Sequence, residues 1–314
     1  MRVYLELAKG IDAQMPEIDA AERPRAVKKI LDSLAQVVKF ASPFKPEALA
    51  ILKKYKPTAA LKAEELSRIS FEEATSRAEE ALNSQEWERA VAYLKAALRK
   101  VDVASAINRV NMTRYKLAYA YYANKQYYNA YVLAEHLARR YPEEGLSPQA
   151  AIIGMIAMTE AYNAHREIDR ASDLDRIVDL ASYTATTWPD REEANDARIN
   201  LGKIKLGRGE YAEAIEAFSA VRKRSTHWAD AQTQLGVAQW WRGRSLARKG
   251  DQAAADQEGR KAVETLQGAL KFRQESGSQP TEPGLVGTAS ELAFVLTESD
   301  KAAEAIKILD PIVK

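Results

Sequence analysis

Apolar residues in this chain recur every three to four positions in stretches a few helical turns long, and short polar breaks separate the stretches. From Arg114 to Pro142, Leu117, Ala118 and Tyr121 form one stripe. Asn124-Lys125-Gln126 interrupts it; Ala130, Leu133, Ala134 and Leu137 form the next stripe, and Pro142 closes the unit. The pattern predicts two short antiparallel helices, neither of which can bury its apolar face alone. Ala197 to Val221 repeats the design, with Gly209 at the turn and Tyr211, Ala214, Ile215 and Phe218 facing inward. Leu201-Gly202 returns 34 residues later as Leu235-Gly236. No period-two alternation bounded by turn residues is found, so the expected fold class is all-α.

The remaining stretches read as further hairpins. A short helix is expected near Val3 to Leu7 with a loop through Pro16, then a helix with Pro24 in its first turn and a shorter one from Pro46 to Tyr55. A single long helix is expected from Thr58 to Asn83, followed by the stripe Trp87, Ala90, Val91, Leu94, Ala97 and Leu98. Ser147-Pro148 reads as an N-cap with proline at the first helical position. The helix after it carries Ile152, Ile153, Ile156, Ala157 and Tyr162, and its partner runs from Ser172 to Thr187. A helix through Trp240 and Trp241 turns at Gly250 and returns from Ala253 to Phe272. Ser276 to Gly284 is linker-like, and a last hairpin follows it. This divides the chain into an N-terminal helical segment (1–62), a run of repeats (63–275), and a linker with a C-terminal hairpin (276–314).

A two-helix unit of about 34 residues resembles the tetratricopeptide repeat. The likeness rests on Leu117-Ala118, Tyr121, Tyr127, Ala130 and Pro142, and on Leu201-Gly202, Gly209, Tyr211, Ala214 and Phe218. It implies a right-handed superhelical solenoid of antiparallel helix hairpins. Two positions depart from the pattern: Lys205 stands where the repeat has an aromatic, and Ala134 replaces the second aromatic of its hairpin. Lengthened helices and the Arg-Arg-Tyr-Pro hairpin end are also similar to tetratricopeptide proteins of bacterial envelope assembly. Small residues at Gly202, Gly236, Gly154 and Ala118 fit positions where neighbouring helices cross closely.

Composition narrows the chemistry. With a formal net charge of +2, the chain has no overall pull toward nucleic acid or anionic membrane. It has no cysteine, which removes disulfides, thiol nucleophiles and thiolate metal sites. The first residues lack a signal-peptide hydrophobic core, and no apolar run is long enough to span a membrane. The expected location is the cytoplasm, with the bacterial envelope or periplasm as the alternative if the chain is a fragment or lacks its signal.

His136, His165 and His227 form no ligand pair and read as packing or surface residues. Gly207-Arg208-Gly209 follows a helix and lacks the lysine of a phosphate loop, so a helix-connecting turn is expected there. Arg222-Lys223-Arg224 reads as a cationic cap on a helix C-terminus. Arg242, Arg244, Arg248 and Lys249 likewise read as a solvated face. No catalytic site, metal or cofactor is expected.

The strongest functional hint is a second stripe, Tyr115, Tyr119 and Tyr122, beside the core stripe of its helix. In tetratricopeptide arrays this stripe lines a concave groove that holds a peptide or partner helix. The resemblance extends it to Met155, Met158 and Tyr162, then Lys203 and Leu206, then Trp240. Aromatic and methionine side chains suit a protein-binding surface. The expected function is a non-catalytic protein-protein interaction scaffold. The alternatives are a structural section of a larger, self-associating solenoid and an RNA-binding helical repeat, with nucleic acid disfavoured by the charge balance.

Overall fold

The computed structural model describes residues 1–39, 42–55, 63–102, 106–164 and 171–313. Among them every regular element is a helix. The chain divides into two units, Met1–Leu133 and Ala134–Lys314, with the division falling inside one helix.

The first unit holds α1 (Arg2–Gln14), α2 (Arg23–Val38), α3 (Lys45–Tyr55), α4 (Ala63–Arg68), α5 (Phe71–Asn83), α6 (Trp87–Leu98), α7 (Ile107–Ala123) and the start of α8 (Tyr127–Arg140). The first helix is longer than its sequence pattern suggests. Gly10 does not break it, because Leu5 and Ala8 bury against Ile30, Leu34 and Leu52, with Ile11 and Met15 packed at the edge. That burial outweighs a glycine cost of about 1 kcal/mol. The helix expected from Thr58 to Asn83 is broken among its described residues. It stops at Arg68 and restarts at Phe71, where the Ser70 hydroxyl accepts the Glu73 N–H at 3.1 Å. Ser70-x-x-Glu73 is a capping-box spacing, a local signal that the apolar stripe had masked.

The second unit holds the rest of α8, α9 (Ser147–Ala164), α10 (Ala171–Thr187), α11 (Glu192–Gly207), α12 (Tyr211–Ser219), α13 (Trp228–Arg248), α14 (Gln252–Glu275), α15 (Pro283–Glu298) and α16 (Ala302–Val313). Ser147 does not act as the expected N-cap. Its hydroxyl turns back to the Tyr141 carbonyl at 2.6 Å, so it closes the end of α8 instead. In α16, Leu309 and Ile312 pack on the Trp240 and Leu292 cluster, whereas Ile306 stays open to solvent.

One device ends the helices in both units. After α5, α7, α11, α13, α14 and α15 a residue takes positive φ: Gln85, Lys125, Gly209, Gly250, Gly277 and Asp300. The next N–H then returns to a carbonyl five residues back, as from Gln126 to Tyr121 at 2.8 Å and from Glu210 to Lys205 at 2.9 Å. This is the Schellman closure, which satisfies carbonyls the helix end would leave bare. Three of the six positions carry a side chain in a conformation that disfavours one. Lys125→Gly and Asp300→Gly are therefore each expected to raise stability by up to about 1 kcal/mol, seen as a higher urea midpoint. A lower midpoint in both variants would contradict the strain assignment.

The departures from the repeat pattern have local explanations. Lys205, in place of an aromatic, pairs with the Glu210 carboxylate across the turn. At the longest hairpin, α13 sets Ala229, Gly236 and Gly243 on one buried line, and α14 sets Ala255, Ala262 and Ala269 on another. Both lines have seven-residue spacing, so small residues meet along the whole crossing.

Candidate functional site

The glycine of each Leu-Gly pair fixes which way its helix faces. A Cβ added at Gly202 would lie 2.6 Å from the Phe218 ring, so this face of α11 is pressed on α12. The residue two positions earlier lies about 200° around the helix and points the opposite way. Counted from Gly154, Gly202, Gly236 and Ala293, that position is held in four successive first helices by Ile152, Asn200, Gln234 and Glu291. All four line one groove of about 500 Å³ within the second unit. Helix α9 packs on α11, α11 on α13 and α13 on α15, so their side chains run across its floor.

At one end the groove is aliphatic, with Ile152, Ile156 and Ile199. Its middle is polar and partly locked. Arg273 donates Nε to the Thr288 hydroxyl at 3.0 Å and pairs through Nη2 with Asp230. The Thr288 and Thr233 hydroxyl oxygens lie 2.8 Å apart, and their two protons are divided among that contact and a backbone carbonyl of each residue's own helix. The guanidinium fits because it lies against Gly284, where a Cβ would stand 2.5 Å from it.

Asp196 faces His227 Nε2 at 3.6 Å, and His227 Nδ1 faces Asp230 at 3.9 Å. Burial pushes the Asp196 carboxyl above its ordinary value against the attraction of His227, and Glu192 and Glu193 push it further. The loop carrying His227 is held from below by Glu192. That carboxylate accepts from the Ser225 hydroxyl, the Thr226 N–H at 3.2 Å and Asn195 Nδ2 at 2.9 Å. Burial would raise Glu192, but these bonds outweigh it and keep the group below its usual range.

Other groove side chains are unspent. Gln234, Lys203 and Glu291 make no hydrogen bond or ion pair with any described residue, and Asn200 uses one N–H on the Asp196 carbonyl at 3.0 Å.

Of the residues expected to line a groove, Lys203 does so in this unit. Met155 and Met158 are fully buried, and Trp240 nearly so, with its ring edge-on to Phe294. Leu206 joins the cluster of Phe218, Leu235 and Ala238, and Tyr162 is half-buried. Ile152 and Ile156, which the sequence places on this helix without selecting a face, both open to the groove. Helix α9 is apolar nearly all the way round, so its pattern does not select a face; the packing of the methionines does.

In the first unit, Tyr119 is 43% exposed and meets Trp87 edge-on at 6.0 Å, while Tyr115 and Tyr122 are half-buried. Burial, then the neighbouring Tyr119, raises the Tyr115 hydroxyl above its ordinary value.

The basic run does not stand free as a helix cap. Arg222 pairs with the Asp190 carboxylate, Arg224 bonds the Asp190 carbonyl at 3.2 Å, and Lys223 lies over the Trp228 ring. Arg244 lies over the Trp240 ring and 3.9 Å from Glu298. His136 rests edge-on to Tyr141, and His165 lies outside the described residues. Among the described residues no cluster of histidines and carboxylates is placed to hold a metal, and no helix is long and apolar enough to cross a membrane.

The fold is a divergent tetratricopeptide-like helical repeat. No family model matches the chain, and no curated protein matches it. Solved structures similar to it include TPR-like repeats of a kinesin light chain from Podosopora anserina. That match has 15% identity, covers 66% of this chain and 95% of that one, and has a TM-score of 0.46. The apo form of RapI matches at 10% identity over 98% and 96% of the two chains, with a TM-score of 0.43. Aspartyl phosphate phosphatase F from Bacillus subtilis matches at 14% over 98% and 92%, with a TM-score of 0.36.

Proposed function

We propose that the protein is a non-catalytic interaction scaffold whose second unit binds an extended peptide segment of a partner across α9, α11, α13 and α15. The observation that carries this reading is the pair Asn200 and Gln234. They are side-chain amides at equivalent repeat positions, 34 residues apart, in one groove. An amide offers both a donor and an acceptor, which matches the N–H and C=O of an extended backbone that has no partner of its own. Peptide affinity then comes from main-chain bonds, and the neighbouring side chains provide selectivity. A non-catalytic role fits the two groove hydroxyls. Thr233 and Thr288 are bonded to each other and to carbonyls, leaving His227 no hydroxyl to activate. In the first unit, Tyr119, flanked by Tyr115 and Tyr122 and backed by Trp87, supplies a second aromatic contact surface of the same scaffold.

Gly287 provides the test. It lines the groove, and a Cβ there meets nothing within 4 Å, so a large residue fills the groove without straining the fold. Removing a mid-helix glycine also favours the helix. Panning a random peptide display library is expected to enrich binders on the wild type. Gly287→Phe should keep the thermal midpoint and lose at least about tenfold of that binding. A wild type that enriches no peptide, or a Gly287→Phe protein that binds equally well, would overturn the reading.

A further inference from the structure

We infer that the peptide held in this groove carries an aliphatic side chain at the α9–α11 end and a lysine or arginine side chain at the α15 end, where Glu291 receives it. This rests on the groove being a peptide site and goes on to name the peptide's chemistry. The aliphatic end follows from Ile152, Ile156 and Ile199. Ile156 is 40% exposed and lines the groove together with Ile152 and Ile199.

The cationic end follows from charge. The groove holds three carboxylates, Asp196, Asp230 and Glu291, against two permanent cations, Lys203 and Arg273. Arg273 is taken by Asp230. Glu291 is only partly exposed and has no counter-ion among the described residues. A half-buried carboxylate without a partner gains more from an incoming cation than an exposed one, because less water screens the pair. Lys203 stands on α11, near the aliphatic end, so a basic residue is repelled there and drawn toward α15. The same balance disfavours a nucleic acid, whose phosphates would meet an excess of carboxylates.

Spacing sharpens the inference. Neighbouring helix axes lie about 8–10 Å apart, so the α9–α11 seam lies about 20–25 Å from α15. An extended chain rises about 3.3 Å per residue, which puts the aliphatic and basic side chains about six to eight residues apart.

The experiment pans the same random peptide display library on the full-length wild type, Glu291→Gln and Glu291→Lys. The wild type is expected to enrich peptides with a leucine, isoleucine or valine about six to eight residues from a lysine or arginine. A synthetic peptide of that consensus should bind Glu291→Gln at least about tenfold more weakly, with the difference shrinking in high salt. Glu291→Lys should stop selecting the basic residue and select aspartate or glutamate in its place. Urea midpoints equal to the wild type keep these losses from being losses of fold. Enriched peptides that lack the basic residue, or a motif unchanged in Glu291→Lys, would overturn the charge assignment and leave the peptide site standing. Enrichment of nothing would remove the peptide site itself.

Discussion

Truncating Phe218 to alanine is expected to destabilise the second unit by about 3–5 kcal/mol. The side chain is fully buried, and its ring fills the space between Ala214, Leu235 and Ala238 while lying directly over Gly202. The residue beneath the ring has no side chain, so nothing on α11 can move in to fill the hole. The cavity term therefore adds to the lost transfer energy. The loss should appear as a lower urea midpoint, and amide exchange should accelerate first in α11 and α12. An unchanged midpoint would show that the ring is not the centre of this packing. Phe218→Leu combined with Gly202→Ala should recover part of the loss beyond the sum of the two single changes, because each substitution makes room for the other.

Gly236→Leu is the second large effect. A Cβ at this position would stand 2.5 Å from the Leu266 Cγ, 3.0 Å from its Cδ2, and 3.2 Å from the Ala262 backbone oxygen. At Gly202 the obstacle is the end of one side chain; at Gly236 it includes a branch-point carbon and main chain, neither of which can swing aside. Helices α13 and α14 must separate, and the cost should reach or exceed the top of the usual overpacking range of about 1–3 kcal/mol. Gly202→Leu should cost less than Gly236→Leu in the same urea titration. The reverse order would mean that α13 and α14 relax more easily than their small-residue lines imply. Since α13 carries Gln234 into the groove, the same variant should also weaken peptide binding, whereas Phe218→Ala acts first on α11 and Asn200.

The physical logic of the second unit joins fold and site. The small residue that lets each hairpin close, glycine in α9, α11 and α13 and Ala293 in α15, also sets the residue two positions earlier into the groove. Packing specificity on one face thereby sets recognition chemistry on the other. Ile152, Asn200, Gln234 and Glu291 share one structural position yet differ in kind, from aliphatic through amide to acid. A repeat can hold its core pattern constant and vary the exposed position independently, because the two lie on opposite sides of the helix.

The sequence by itself determined the helical hairpins. Stripes at 3.6-residue spacing, Gly209, Gly250 and the recurring Leu-Gly pair are local signals, and local signals survive without knowledge of what lies opposite. The inward roles of Ala130, Leu137, Ala214 and Phe218 were legible for the same reason, and so was the need for small residues at Gly202 and Gly236. Three things were decided only by the tertiary structure. The turns at Gln85, Lys125 and Asp300 adopt positive φ because the flanking helices must pair, and the residues themselves do not announce it. In the basic run Arg222-Lys223-Arg224, the two arginines are taken by Asp190, a residue more than thirty positions earlier, and Lys223 lies over Trp228. In α9, where apolar residues surround the helix, no stripe distinguishes inside from outside. Burial of Met155 and Met158 against neighbouring helices turned Ile152 and Ile156 toward the groove. A one-position rotation of about 100° is enough to exchange the two sets, and only the neighbours' shapes choose between them.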